Sequence, residues 1–174
     1  KEMVSVLVKA YNTKSSGGEE TELLLGKLSF GSKEITASGL EFSKNMVIKG
    51  GIIRYNKVTK RIILLGVVRE PGKNDGYIPY LAYVNPVDHK VEFTSVAYPG
   101  QANEKSLELF GRKRPYTGMP QNIYINDDGS FSIVYEEAFS AATSGGNSEL
   151  GNIAIANYSI IGTETGSYFI PKYF

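Results

Sequence analysis

The sequence predicts an all-β protein built from antiparallel four-stranded units, and three observations carry that expectation. Val, Ile, Tyr and Phe dominate the apolar residues, with 12 Tyr alone, and such side chains suit a pleated, half-buried surface. Gly is abundant at 19, which supplies the turns between strands. Apolar runs recur in pairs around short polar turns, the pattern of successive hairpins. At 174 residues and 41 % hydrophobic, the chain has the size of one domain and enough apolar surface for a core.

Taken in order, residues 3–11 (MVSVLVKAY) alternate with period 2 and read as a strand. A Gly-rich turn leads to a second strand at 22–30, then a weaker stretch around Ile35 and a polar connection to Asn45. Residues 51–55 (GIIRY) and 61–69 (RIILLGVVR) flank a turn at 56–60. Residues 78–84 (IPYLAYV) and 90–97 (KVEFTSVA) flank Asn85-Pro86-Val87-Asp88-His89. A polar link containing Lys105 follows, and no helix is expected anywhere. Residues 121–125 (QNIYI) and 130–135 (SFSIVY) flank Asn126-Asp127-Asp128-Gly129. Asp-Gly between apolar runs is a strong hairpin signal, because Gly accepts the positive φ of tight turns. Residues 138–151 read as a loop, and 152–159 (NIAIANYS) with 165–172 (TGSYFIPK) form the last pair.

Asn56 and Asn126 occupy equivalent turns. Each lies between a short apolar strand and a longer one that ends near an acidic residue, at Arg69-Glu70 and at Glu136-Glu137. A second hairpin follows in both copies. Repeated four-stranded antiparallel units are the signature of β-propeller blades. The expected division is one domain with a half blade at 1–44 and blades at 45–100 and 101–174. The spacing of the two turns exceeds the roughly 40–50 residues usual for such blades, so the excess belongs in loops. A propeller needs at least about four blades to close. The chain is therefore expected to be a fragment of a longer propeller, or to draw further blades from an oligomer. Its start at Lys1, already close to a strand, points the same way. A single closed barrel or sandwich is the alternative fold.

The string QNIYINDDGSFSIVYEE at 121–137, with GNIAIANYSIIGTETGSYFIPK at 151–172, resembles blades of secreted β-propeller-like proteins of the Bacteroidetes type. A Gly-containing turn leads into a strand ending in Glu, and a later strand pair ends in an Ile-Pro-Lys segment. The resemblance covers about residues 45–174 and, more weakly, 1–44. It implies an extracytoplasmic setting, in the periplasm, at the cell surface or secreted. It brings no catalytic residue with it.

Net charge is +1, from 19 basic and 18 acidic residues, so no electrostatic footprint for nucleic acid is present. No apolar run approaches the roughly 20 residues of a transmembrane helix. Without cysteine, disulfides, thiol catalysis and thiolate metal sites are excluded. His89 is the only histidine. With no nucleophile motif beside it, it reads as a solvated turn residue, and no His-based zinc site can form around it. Asn126, Asp127 and Asp128 offer hard oxygens, but the spacing to Glu136 fails the EF-hand loop, so they read as turn formers.

Adjacent Glu136 and Glu137 face opposite sides of a strand and cannot form a glycosidase pair together. Glu70 and Glu136, at equivalent strand ends, are the better-placed carboxylates. Ion pairing with Arg69, Arg112 or Arg114 accounts for them more simply. Arg112-Lys113-Arg114-Pro115-Tyr116 combines donors with an aromatic on a connecting loop, where function concentrates. Against that stands a solvated linker stopped by Pro115. Tyr77, Tyr80, Tyr83 and Tyr98 are expected to pack rather than to bind sugar. Asn157-Tyr158-Ser159 fits a glycosylation acceptor but lies mid-strand.

The sequence therefore predicts a non-enzymatic binding or scaffold module with a protein or glycan partner. Ligand contacts are sought at Arg112, Lys113, Arg114, Tyr116, Glu70 and Glu136, and no cofactor or metal is called for. A small-ligand barrel and, behind it, a hydrolase are the alternatives.

Overall fold

The structure is a computed structural model that describes residues 3–11, 20–29, 31, 33–72, 76–111, 115–139 and 149–172. It divides into two compact units, Lys1–Ala97 and Tyr98–Phe174.

Among the described residues the first unit holds seven strands: β1 (Met3–Tyr11), β2 (Glu20–Ser29), β3 (Ile35–Gly39), β4 (Val47–Asn56), β5 (Arg61–Arg69), β6 (Ile78–Val84) and β7 (Val91–Val96). The first three form one antiparallel sheet in chain order, and β4 to β7 form a second. Leu23, Leu25 and Leu40 pack against Ile48, Ile62, Leu64, Val68, Ala82 and Val84, which joins the two sheets through one core. A 3-10 turn, Glu41–Ser43, with Ser43 buried, closes that seam. Ser43 Oγ accepts the Leu23 N–H at 2.9 Å and donates to the Leu40 carbonyl at 2.7 Å. β5 is apolar without alternation because Ile62 to Val68 are buried on both faces.

At Gly66 the second sheet leaves no room for a side chain. A Cβ there would lie 2.8 Å from Leu23 Cδ1 and 3.0 Å from Phe42 Cε2. The Phe42 ring instead stacks on Tyr80 at 5.9 Å.

The second unit begins with a helix, α1 (Gly100–Phe110), followed by β8 (Met119–Ile125), β9 (Phe131–Phe139), β10 (Glu149–Tyr158) and β11 (Glu164–Ile170). The four strands form one antiparallel sheet in chain order. The helix corrects the expectation of a polar link. Gln, Ala, Glu, Lys and Leu are good helix formers, and Ala102 and Ser106, one turn apart, are its buried contacts. Pro99 at the N-cap offers no side-chain acceptor. The Glu164 carboxylate of β11 substitutes, accepting the Gly100 and Gln101 N–H groups at 3.1 and 3.3 Å. Gly111 ends the helix in the left-handed region.

The expected loop at 138–151 is also corrected at both ends. β9 runs to Phe139 and β10 starts at Glu149, and residues 140–148 lie outside the described residues.

The protein is thus mainly β, with repeated antiparallel sheets. Among the described residues no sheet closes on itself, which removes the closed barrel. No described helix is long and apolar enough to cross a membrane.

The two four-stranded sheets match in register over the halves next to their first turns, and diverge beyond, where the irregularities at Ile48/Gly50 and Pro120/Asn122 fall at different places and Leu150/Ile153 has no counterpart. Tyr55, Ile62 and Val84 lie side by side in the first, as Ile125, Phe131 and Tyr158 do in the second. Ile53, Leu64 and Ala82 correspond in the same way to Ile123, Ile133 and Ala156. The irregularity in the last hairpin recurs as well, at Tyr83/Val84 and at Asn157/Tyr158. A bulge in the same place is a specific feature rather than a generic property of sheets.

Candidate functional site

Of the residues singled out from sequence, Arg112, Lys113 and Arg114 lie outside the described residues. Tyr116 does not face solvent, which corrects its assignment as a surface ligand contact. It is 1 % exposed, with its ring edge-on to Phe169 at 5.8 Å. Its hydroxyl lies 3.2 Å from the Tyr135 carbonyl and 3.0 Å from that of Asn152. Its own N–H donates to Asn103 Oδ1 at 2.7 Å, and the Tyr98 hydroxyl donates to its carbonyl. Burial, reinforced by nearby Glu137, holds the Tyr116 phenol well above its ordinary value. Tyr116 is a core plug in place of a surface contact, because Phe169 of β11 packs on its ring and its hydroxyl reaches carbonyls of β9 and β10.

Glu70 lies exposed just past β5 in the first unit. Glu136 lies on β9 of the second and pairs with Lys172 Nζ at 2.9 Å, where an arginine partner was expected. Neighbouring Glu137 points to the opposite face and is 4 % exposed. Its carboxylate accepts Asn152 Nδ2 at 2.7 Å and the Thr117 N–H at 3.4 Å. Asn152 in turn accepts the Lys172 N–H at 3.0 Å through Oδ1. The network ties β9, β10 and the chain after β11 together.

The expected turn formers behave as such. Asp128 Oδ1 accepts the Ser130 N–H at 2.9 Å and its hydroxyl at 2.6 Å, and these bonds hold its carboxyl below the usual range. Gly129 takes φ 84° there. His89 takes the left-handed position of the turn between β6 and β7, donating its N–H to the Asn85 carbonyl at 2.9 Å with φ 58°. It is not solvated, which corrects the sequence reading: it is 7 % exposed, and its Nε2 has no hydrogen-bond partner among the described residues. Lys27 of β2 pins the same loop, donating to the Val87 carbonyl at 2.7 Å. Burial first, and the Lys27 charge second, push the His89 imidazole below its ordinary value. Among the described residues no three His, Asp or Glu side chains group as metal ligands.

The four tyrosines expected to pack fall into separate settings. Tyr80 stacks on Phe42, and Tyr83 stacks on Phe93 at 5.5 Å. Burial pushes the Tyr83 phenol up to about 12. Tyr77 lies beneath Lys49 and Arg69, 5.1 and 5.4 Å from its ring. Tyr98 belongs to the second unit, half-buried beside Tyr116, and burial raises its phenol to about 12.

A groove of about 320 Å³ opens between α1 and the β10–β11 hairpin, lined by Gln101, Lys105, Asn157, Thr165, Gly166, Ser167 and Tyr168. Lys105 donates to the Ser167 carbonyl and lies 6.0 Å from the Tyr168 ring. Tyr168 itself is 65 % exposed. Asn157 accepts the Ser132 hydroxyl at 2.7 Å through Oδ1, and its side chain borders the groove. Ser167 Oγ is buried and has no partner among the described residues.

None of these residues was singled out from sequence as a ligand contact. The signal lay in the repeat. The pair Asn157 and Gly166 of the second sheet stands where Tyr83 and Phe93 stand in the first. Comparison of the chain with protein-family models, with curated proteins and with solved structures finds no match.

Proposed function

We propose that this chain is an extracytoplasmic binding module, a scaffold of β-propeller-like blades that holds a protein or glycan ligand without transforming it. The observation that carries the reading is the register match between the halves of the two four-stranded sheets next to their first turns, together with the bulge shared by their last hairpins. A rigid, repeated scaffold presents its variable edges and loops for recognition. Within the first unit one antiparallel sheet already packs on another through a shared core. The resemblance to secreted propeller-like proteins of the Bacteroidetes type supplies the envelope setting. On this reading a longer chain or other copies contribute the blades that complete a ring.

The carboxylates favour binding over hydrolysis. Glu136 is paired with Lys172, and Glu137 is buried against Asn152, so neither stands ready as an acid or nucleophile beside the other. The groove along β11 provides an accessible site with mixed polar and aromatic lining.

Equilibrium dialysis against soluble glucan, mannan and xylan hexasaccharides, and selection from a displayed peptide library, test the reading. The expected result is saturable binding of one class with the ligand recovered at unchanged mass. Steady release of a shortened product, or no saturable binding in either arm, overturns it.

A further inference from the structure

The groove beside Tyr168 exists because two aromatic positions of the repeat are vacated. In the first sheet Tyr83 and Phe93 face each other across β6 and β7 and stack at 5.5 Å. At the matching positions across β10 and β11 stand Asn157 and Gly166. A Cβ on Gly166 would meet nothing within 4 Å, so the space is open rather than refilled by a neighbour. Gly in the interior of a strand costs stability and packs nothing, and in a repeat scaffold the loss marks a position where another molecule approaches.

What lines the opening matches one ligand chemistry. Tyr168 lies on the same sheet face as Asn157 and Gly166, two residues along β11, and presents an exposed ring. An exposed aromatic face takes the C–H face of a sugar ring, and side chains around it take the hydroxyls. Gln101 and the Asn157 side chain offer hydrogen bonds, as do the two Lys105 donors not used on the Ser167 carbonyl. The lining contains one cation and no carboxylate. Its volume of about 320 Å³ is at the small end of the roughly 300–1,000 Å³ range of ligand pockets, which suits one ring at a time of a longer chain.

We infer that this groove binds a neutral pyranose unit of a glycan, stacked on Tyr168 and hydrogen-bonded by Gln101, Lys105 and Asn157. The inference rests on the binding-module reading and names its ligand class and site. The rigid wall comes from Glu164, which caps α1 and so fixes Gln101 and Lys105 against β11.

The test is an amide-shift titration of the isotope-labelled full chain with gluco-, manno- and xylo-hexasaccharides, with hexagalacturonate as the acidic arm. At least one neutral hexasaccharide is expected to shift the amides of Gln101, Lys105, Asn157 and residues 165–168 saturably, with Kd of about 1 mM or tighter. Tyr168→Ala is expected to weaken that binding by about tenfold or more, and Tyr168→Phe, which keeps the ring, to recover most of it. Gly166→Phe restores the aromatic of the first sheet and is expected to abolish binding while the remaining spectrum stays native. Binding by hexagalacturonate alone, or unchanged affinity in Tyr168→Ala, overturns the assignment. So does the absence of these shifts at about 10 mM of every neutral hexasaccharide. Saturable shifts confined to another surface sink the groove and leave the binding-module reading standing.

Discussion

Asn152 Nδ2 donates to Glu137 Oε2 at 2.7 Å inside the second unit, with both side chains buried. A buried carboxylate is tolerated only when its oxygens are hydrogen-bonded. Asn152→Ala removes that donor and also the acceptor of the Lys172 N–H. The expected loss is about 3 kcal/mol, the cost of leaving a buried charged group short of a partner. Urea denaturation measures it, and a loss below about 1 kcal/mol would show that the contact is replaceable.

Gly66 is the close-approach point of the first unit. Alanine there pushes on Leu23 and Phe42 at 2.8 and 3.0 Å. Overpacking of this kind costs about 1–3 kcal/mol. A Gly66→Ala chain that denatures at the wild-type urea concentration would mean that the seam between the two sheets is looser than described.

His89 gives the first unit a dependence on pH with a definite sign. Its folded-state pKa lies below its ordinary value of 6.5, so the unfolded chain binds more protons in the window just beneath that value. The stability it contributes is complete above the unfolded pKa and is lost as pH falls through the folded one. Lys27 on β2 opposes the imidazolium and Asp88 in the loop favours it, the former being the larger effect. The urea midpoint is expected to fall between about pH 7 and pH 5. In His89→Asn, which tolerates the positive φ, that slope is expected to flatten. An equal slope in both chains would remove His89 as its source.

Glu164 caps a helix on a neighbouring element rather than its own. Glu164→Ala leaves the Gly100 and Gln101 N–H groups without their acceptor. A loss of about 1 kcal/mol is expected, together with faster hydrogen exchange in the first turn of α1. Unchanged exchange there would show that the carboxylate does not hold the helix.

The strands were legible because their signals are local. The unbroken apolar run at Ile62 to Val68 and the Asp-Gly turn before β9 need no distant partner to be read. The helix was not legible, since Pro99 gives no start signal and the cap arrives from Glu164. Tyr116 looked like a surface residue among its basic neighbours, and only the folded contacts to Phe169 and Asn152 bury it. His89 followed the same logic, as its turn gave no hint that β2 would cover it. The groove was written in the difference between two copies, Tyr83 and Phe93 against Asn157 and Gly166. That difference becomes visible only once strand register aligns them.

That alignment is also where the account is most exposed. Cross-strand nuclear Overhauser contacts between backbone protons measure it directly. The predicted map joins Ile53, Leu64 and Ala82 across one sheet and Ile123, Ile133 and Ala156 across the other. A shift of either set by one residue, or contacts that run β7 and β8 into a single sheet, would contradict it.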